Sequence, residues 1–428
     1  MQVRVKSSHF ESFGGINFLE SDYIRFGFET LITAHLGARS LLAHYSYSDL
    51  IKNLFFLHAS GGEVLDDLNR VREAMKDHPD LDICSADTIE YASQELKQST
   101  EDITTERGVT HSLNNHDGFN RLLPALCKKG KLLKSGKQKY TLDYDGHIVE
   151  NTKQDNATSY KHTDGYYPIV CSINKWPVYM ENRKANTPES YRQLPAIEQT
   201  FCRCEELKIA ISRFRADACC YEKATIEYLE SRPEKVQYYI RAEMNEGLRI
   251  ALEDETDWQP AMLGYKQVEV CTINYPAFGG KKEYRIAAYR KKVTGQPTLF
   301  QQNGYDYHAV ITGDEQSTPK EVIFFYNGRG CEGEHHFKEL DYDFGWNKLP
   351  FDNMEMNTIY MYMTMVAFLL FNIFKHDYAS KLDFVNPRMR LKSFTFHFVN
   401  VVARWIKSGR QWILNIYTPK NYSPLWQT

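Results

Sequence analysis

The chain has almost no excess charge of either sign: 52 Lys and Arg stand against 55 Asp and Glu, a formal net charge of -3 over 428 residues. That excludes a globally basic nucleic-acid coat, so any such binding must come from local patches. Its nine cysteines are odd in number and irregularly spaced, which argues against a secreted disulfide framework. Cys202-x-Cys204 and Cys219-Cys220 lack the two-residue spacing of zinc pairs, so buried thiols are expected. The stretch MQVRVKSSHFESFGG has no apolar segment of signal-peptide type, so a reduced, cytoplasmic protein is expected. Only one long run lacks charge, MNTIYMYMTMVAFLLFNIF at 356–374. It just reaches the length of a membrane span. It also carries Asn357, Thr358, Thr364 and Asn372, and a buried core helix is the expectation.

What is present reads as about two to four domains. Residues 1–138 read as mainly helical. The spacing predicts helices over 48–60, capped by Ser48, over 63–75, and over 85–97, capped by Ser85. Three short helices with tight turns resemble a DNA-binding module. The outer face of the third (Asp87, Glu90, Gln94) is not basic, so a plain helical scaffold fits equally. CKKGKLLKSGKQK (127–139) then packs six lysines with no acid. Such a run is a solvated linker by default. Because it leads into an acidic strand, Lys128, Lys129 and Lys131 are also expected as phosphate contacts.

From residue 140 the pattern turns to strands at 140–150, 166–173 and 176–184, a helix near 188–207, a strand at 208–217, a helix at 220–232 and a strand at 236–243. This is a mixed α/β layer. Residues 244–320 are β-rich, and 321 onward reads as a strand, a turn and a helix. The tail from Lys375 carries nine Lys or Arg against two Asp. In TLDYDGHIVE, Asp143 and Asp145 fall on one face of a strand. Asp217 ends a second strand, after Arg213 and Arg215, and Glu334 lies near a helix start. A mixed sheet brings such strands together. Three converging acids then require counter-charge, for which divalent metal is the usual answer.

YNGRGCEGEHHFKEL (326–340) resembles the Tyr-x2-Arg-x3-Glu signature of bacterial insertion-sequence transposases of the DDE type. LDYDG is similar to their first catalytic strand, and RFRADACCYEKATIEYL to their second strand and its helix. The resemblance implies an RNase H-like catalytic core at 139–243 and 321–375, interrupted by a β insertion domain at 244–320. It also implies an N-terminal helical DNA-end-binding domain (1–138) and a helical, basic C-terminal tail (376–428) for DNA contact or dimerisation. Asp145, Asp217 and Glu334 would hold two Mg²⁺, with Mn²⁺ as substitute. Tyr326, Arg329, Lys338 and Arg215 would contact DNA, and Phe300, Tyr305 and Tyr307 are wedge candidates for a flipped base.

Three positions depart from the pattern. Four residues, not three, separate Arg329 from Glu334, so Glu332 is a second candidate for the third acid. Glu334 is preferred because it keeps helical register with Phe337 and Leu340. Asp341 stands where a Lys is common, and Lys338 is the expected substitute. His147 follows Gly146 where a hydroxyl residue is common, and Asp143 is expected as support for Asp145.

The function implied is metal-dependent cleavage at transposon ends and strand transfer into target DNA, through hairpin ends, by a homodimer on double-stranded DNA. No membrane partner is expected, and a bacterial, nucleoid-associated location is. The competing readings are a catalytically silent, co-opted DNA-binding protein and a metal-dependent nuclease without strand transfer.

Overall fold

The computed structural model describes residues 3, 10–293 and 304–426, with the side chains of 330–335 outside the description. Phe300 also lies outside the described residues. Six helices occupy much of the first 130 residues: α1 (Ile16–Phe26), α2 (Phe28–Leu36), α3 (Tyr47–Ala59), α4 (Leu68–Ala74), α5 (Ala86–Leu96) and α6 (Asp117–Lys129). The cap of α3 is Ser46 rather than Ser48. Ser46 and Asp49 form a reciprocal capping box, while Ser48 is buried and bonds the Tyr23 hydroxyl at 2.7 Å. Ser85 occupies the N-cap position of α5, but its hydroxyl bonds the Thr88 hydroxyl at 3.0 Å rather than a backbone amide.

One mixed sheet of eleven strands organises the rest. Its strands are β1 (Glu101–Thr104), β2 (Thr110–Asn114), β3 (Lys139–Gly146), β4 (Ile169–Ile173), β5 (Trp176–Arg183), β6 (Ala210–Ala216), β7 (Gln237–Arg241), β8 (Gln259–Leu263), β9 (Lys266–Tyr275), β10 (Tyr284–Lys292) and β11 (Tyr305–Thr312). The order across the sheet is β1-β2-β5-β4-β3-β6-β7-β11-β10-β9-β8. β3 pairs β4 antiparallel and β6 parallel, and β6 pairs β7 parallel. The crossovers are α7 (Gln193–Glu206) and α8 (Lys223–Ser231). A further helix, α9 (Glu246–Asp254), precedes β8. The strands of 244–320 continue this sheet, because β11 pairs with β7.

A long helix, α10 (Pro319–Asp343), lies over the sheet. This corrects the expected strand and turn at 321–330. Thr318 and Glu321 form a capping box with Pro319 in the first turn, a strong start signal. Val322 and Ile323 then bury against Tyr239, Val270, Ala287 and Val310 of the sheet. Glycines 328, 330 and 333 each cost the helix about 1 kcal/mol, which this burial outweighs. A Cβ at Gly328 would make ordinary contact, 3.4 Å from the Arg215 guanidinium.

Helix α11 (Met354–Ala379) contains the uncharged run, and its most apolar window is wholly buried. The polar residues of its uncharged run find partners inside the protein. Asn357 bonds both ways with the Phe351 backbone, Thr358 accepts from Asn182 and Thr364 accepts from the Trp346 indole. Helices α3, α5 and α6 pack on α11, so one hydrophobic core joins the first 138 residues to the rest.

The tail departs from the helical expectation. A short helix, α12 (Leu391–Phe394), and one π turn lead into a hairpin of β12 (Val402–Ser408) and β13 (Gln411–Tyr417). Gly409, with φ of 62°, makes the two-residue turn, and the flanking alternation VARWIKS and QWILNIY suits strands. The hairpin closes onto the N-terminus: Glu11 and Ala403 exchange backbone hydrogen bonds, and Trp405 donates to Asn17.

Beneath α10, Arg215 grips Asp143 with two hydrogen bonds of 2.7 and 2.8 Å, and its third nitrogen donates to the Phe325 carbonyl. Both charged residues are 3% exposed. Removing one partner would strand a buried charge. Arg215→Ala is expected to destabilise the protein by about 3–5 kcal/mol in denaturant unfolding, with Asp143→Ala adding little on top.

Candidate active site

The parallel pairing of β3 with β6 sets Asp143 opposite Arg215 and Tyr144 opposite Ala216. Asp145 and Asp217 therefore leave adjacent strands side by side at their C-terminal ends, where open α/β sheets place ligands. Asp217 caps a short 3₁₀ turn, accepting from the Cys219 amide at 2.9 Å. A cavity of about 370 Å³ opens there, lined by Asp145, Asp217 and a third acid, Glu189, and by Arg329, Lys161 and Lys338.

Arg329 reaches down from α10 and bonds Asp145 at 2.8 Å, with a longer bond to the Tyr144 carbonyl. Burial raises the Asp145 carboxyl pKa, Arg329 opposes that, and Asp217 adds to it. Burial works against the charge on Arg329, but Asp145 and Asp217 beside it hold the guanidinium more firmly protonated. Glu189 is pushed up to about 7, first by burial and then by Asp217 and Asp145. Its Oε2 accepts from the Tyr167 hydroxyl at 3.0 Å. Tyr326, one helical turn before Arg329, has its phenol pKa raised by burial, with Arg329 opposing.

His147 has a structural role. Its ring stacks on Phe337 at 4.7 Å and bonds Asp341 at 2.8 Å, fastening the end of β3 to α10. Asp341, in the position of an expected lysine, is thus the partner of His147, while Lys338 is exposed at the cavity. Arg215 is not on a DNA-facing surface. It is buried and bonded to Asp143, which places Asp143 beneath the cavity rather than in it. Lys128 and Lys129 end α6, Lys131 follows, and all three are exposed. They precede the N-terminal end of β3, whereas Asp145 lies six residues on from Lys139, a separation of about 20 Å. The lysine run therefore does not sit beside the acids. Glu334 and Glu332 fall within the span of α10, but their side chains lie outside the described residues. Of the wedge candidates, Tyr305 is half-buried under Arg290 and Tyr307 is buried on β11. Cys202 is exposed and Cys204 buried, and Cys219 donates to Cys220.

Among the described residues, one group has the spacing to hold a metal ion: Glu189, Asp217 and Cys219, with donor atoms within 4.8 Å of one another. The carboxylate oxygens around the cavity suit a hard divalent cation. The Oε1 atom of Glu189, buried without a hydrogen-bond partner, is an open donor there. Glu189 escaped the sequence reading. An acid just before a helix is an ordinary N-terminal preference and carries no metal signal of its own.

The family described as "Transposase DDE domain group 1" matches residues 1–426. The chain belongs to this family: it is a DDE transposase, an enzyme that cuts DNA. Such enzymes generally use divalent metals. No curated protein matches it. Among solved structures, a piggyBac transposase in a synaptic complex with hairpin DNA, seen by cryo-EM, is similar over 91% of this chain and 79% of that one. Its identity is 9% and its TM-score 0.46, a likeness too distant to carry an argument.

The Glu189 carboxyl ionises near 4.5 when unperturbed and near 7 when folded. Between these values the folded state holds more protons, so raising the pH through that window destabilises it. The metal-free protein is expected to lose roughly 2–3 kcal/mol from this group between pH 4.5 and 7. Glu189→Gln should remove that part of the slope in melting curves recorded across the window.

Proposed function

We propose that this transposase is a cut-and-paste insertion-sequence enzyme with an RNase H-like core. On this reading it cleaves double-stranded DNA at the terminal inverted repeats of its element and joins the freed end to target DNA. The observation that carries the reading is the placement of Asp145 and Asp217 at the ends of adjacent parallel strands, over one cavity rimmed by cations. Asp145, Asp217 and Glu334 are the assigned metal ligands, for two Mg²⁺ with Mn²⁺ as substitute. When bound, such a pair stabilises both the attacking and the leaving oxygen of an in-line phosphoryl transfer.

The chain's own residues do the remaining work. Arg329, held rigid by Asp145, and Lys338 at the mouth are set to bind phosphate oxygens of the scissile strand. Tyr326 supports Arg329 from the preceding turn of α10. Strand hydrolysis consumes water and releases a 3′-hydroxyl. That hydroxyl then attacks the phosphodiester of the opposite strand to form a hairpin end, releasing a 3′-hydroxyl on the flanking DNA. A second hydrolysis reopens the hairpin and regenerates the end hydroxyl, which attacks a target phosphodiester and releases a target 3′-hydroxyl. The exposed lysines 128, 129 and 131 extend the DNA track away from the cavity. The domain division at 138, 243, 320 and 375 belongs to this reading. So do a homodimer holding two element ends, with residues 376–428 contributing, and a bacterial, nucleoid-associated location.

The test is cleavage of DNA carrying candidate element ends. Cleavage is expected with Mg²⁺, with hairpin products, and Asp145→Asn or Asp217→Asn should lower it at least about a thousandfold. Cleavage without hairpins or joined products would favour a nuclease. No cleavage, with DNA binding retained, would favour a co-opted binding protein.

A further inference from the structure

We propose that Glu189 is a further carboxylate ligand of the metal site, sharing with Asp217 the ion nearest the β6 end of the cavity. The inference rests on the metal-site reading above but adds a residue that the transposase pattern does not contain. Four features of the structure support it.

The donor atoms of Glu189 and Asp217 already lie within 4.8 Å of each other, close enough for one ion to bridge them. The two oxygens of Glu189 differ. Oε2 is fixed by the Tyr167 hydroxyl, while Oε1 is buried with no partner. A ligand oriented through one oxygen and open at the other has the form of a prepared metal donor. A buried acceptor left bare is otherwise costly.

The backbone around Glu189 is held as firmly as its side chain. Its carbonyl accepts from the Tyr144 hydroxyl at 3.0 Å and from Arg183 at 3.2 Å. Both donors are wholly buried. The loop between β5 and α7 is thereby fixed onto β3, next to Asp145. Gly146 completes the arrangement. A Cβ there would meet the Tyr167 ring at 2.5 Å and the Glu189 carboxyl carbon at 3.1 Å. The strand thus carries its smallest residue where this carboxyl presses against it. The Cys219 thiol donates to Cys220 and is a neutral neighbour, so a hard ion takes the carboxylates.

The experiment is Mn²⁺ titration of the full chain without DNA, following free Mn²⁺ by electron paramagnetic resonance. Glu189→Gln keeps an acceptor for Tyr167 and removes the charge, whereas Glu189→Asp keeps the charge and shortens the reach. Glu189→Gln should weaken one Mn²⁺ site about 10–100-fold, and Glu189→Asp should weaken it less. A merely structural Glu189 would give the reverse order, because Gln preserves the Tyr167 bond. Glu189→Gln binding like the wild type, or better than Glu189→Asp, overturns the inference. Asp217→Asn separates the two levels. If it loses binding while Glu189→Gln does not, only the Glu189 inference falls. If it too binds like the wild type, the metal-site reading falls with it.

Discussion

Everything at this site depends on confining negative charge where two parallel strands end. Asp143 and Asp145 share a face of β3, and Asp217 stands beside them at the end of β6. Left alone, such a cluster would repel itself apart or take up protons. The protein meets it with two guanidiniums at different depths. Arg215 neutralises Asp143 in the interior and ties the sheet to the Phe325 carbonyl of α10. Arg329 neutralises Asp145 at the rim. Asp217 and Glu189 are left without a cation bonded to them among the described contacts, and there a metal has the most to gain.

The same constraint explains why α10 runs unbroken. Its first half packs on β7, β10 and β11 through Val322 and Ile323. Its later turns bring Arg329, Phe337 and Asp341 over the end of β3, where His147 stacks and bonds. A strand followed by a turn at 321–330 could not span the sheet from the outer strands to the cavity. The helix is therefore both a cover for the sheet and the carrier of half the site.

The sequence made some of this plain and concealed the rest for physical reasons. Strands β3 to β7 and helices α7 and α8 were legible because their periods switch cleanly between two and 3.6. The pairing of Asp145 with Asp217 followed from β3 and β6 being neighbours. The start of α10 was concealed because VIFFY satisfies a strand pattern as well as a helix, and its glycines read as a turn. Only Thr318-Pro319-x-Glu321 signalled a helix. The terminal hairpin was concealed behind its basic charge, although its alternation and Gly409 were there to read. Glu189 was not legible, because what marks it is an unpartnered oxygen and the missing Cβ of Gly146, both facts of three-dimensional contact.

The central claim is that the cavity between β3 and β6 holds divalent metal. Anomalous diffraction from a crystal soaked in Mn²⁺ addresses it most directly. Anomalous density is expected within the cavity, against the carboxylates of Asp217 and Glu189 and beside Asp145. A cavity without such density, with Arg329 still bonded to Asp145 and Mn²⁺ bound elsewhere, would contradict it.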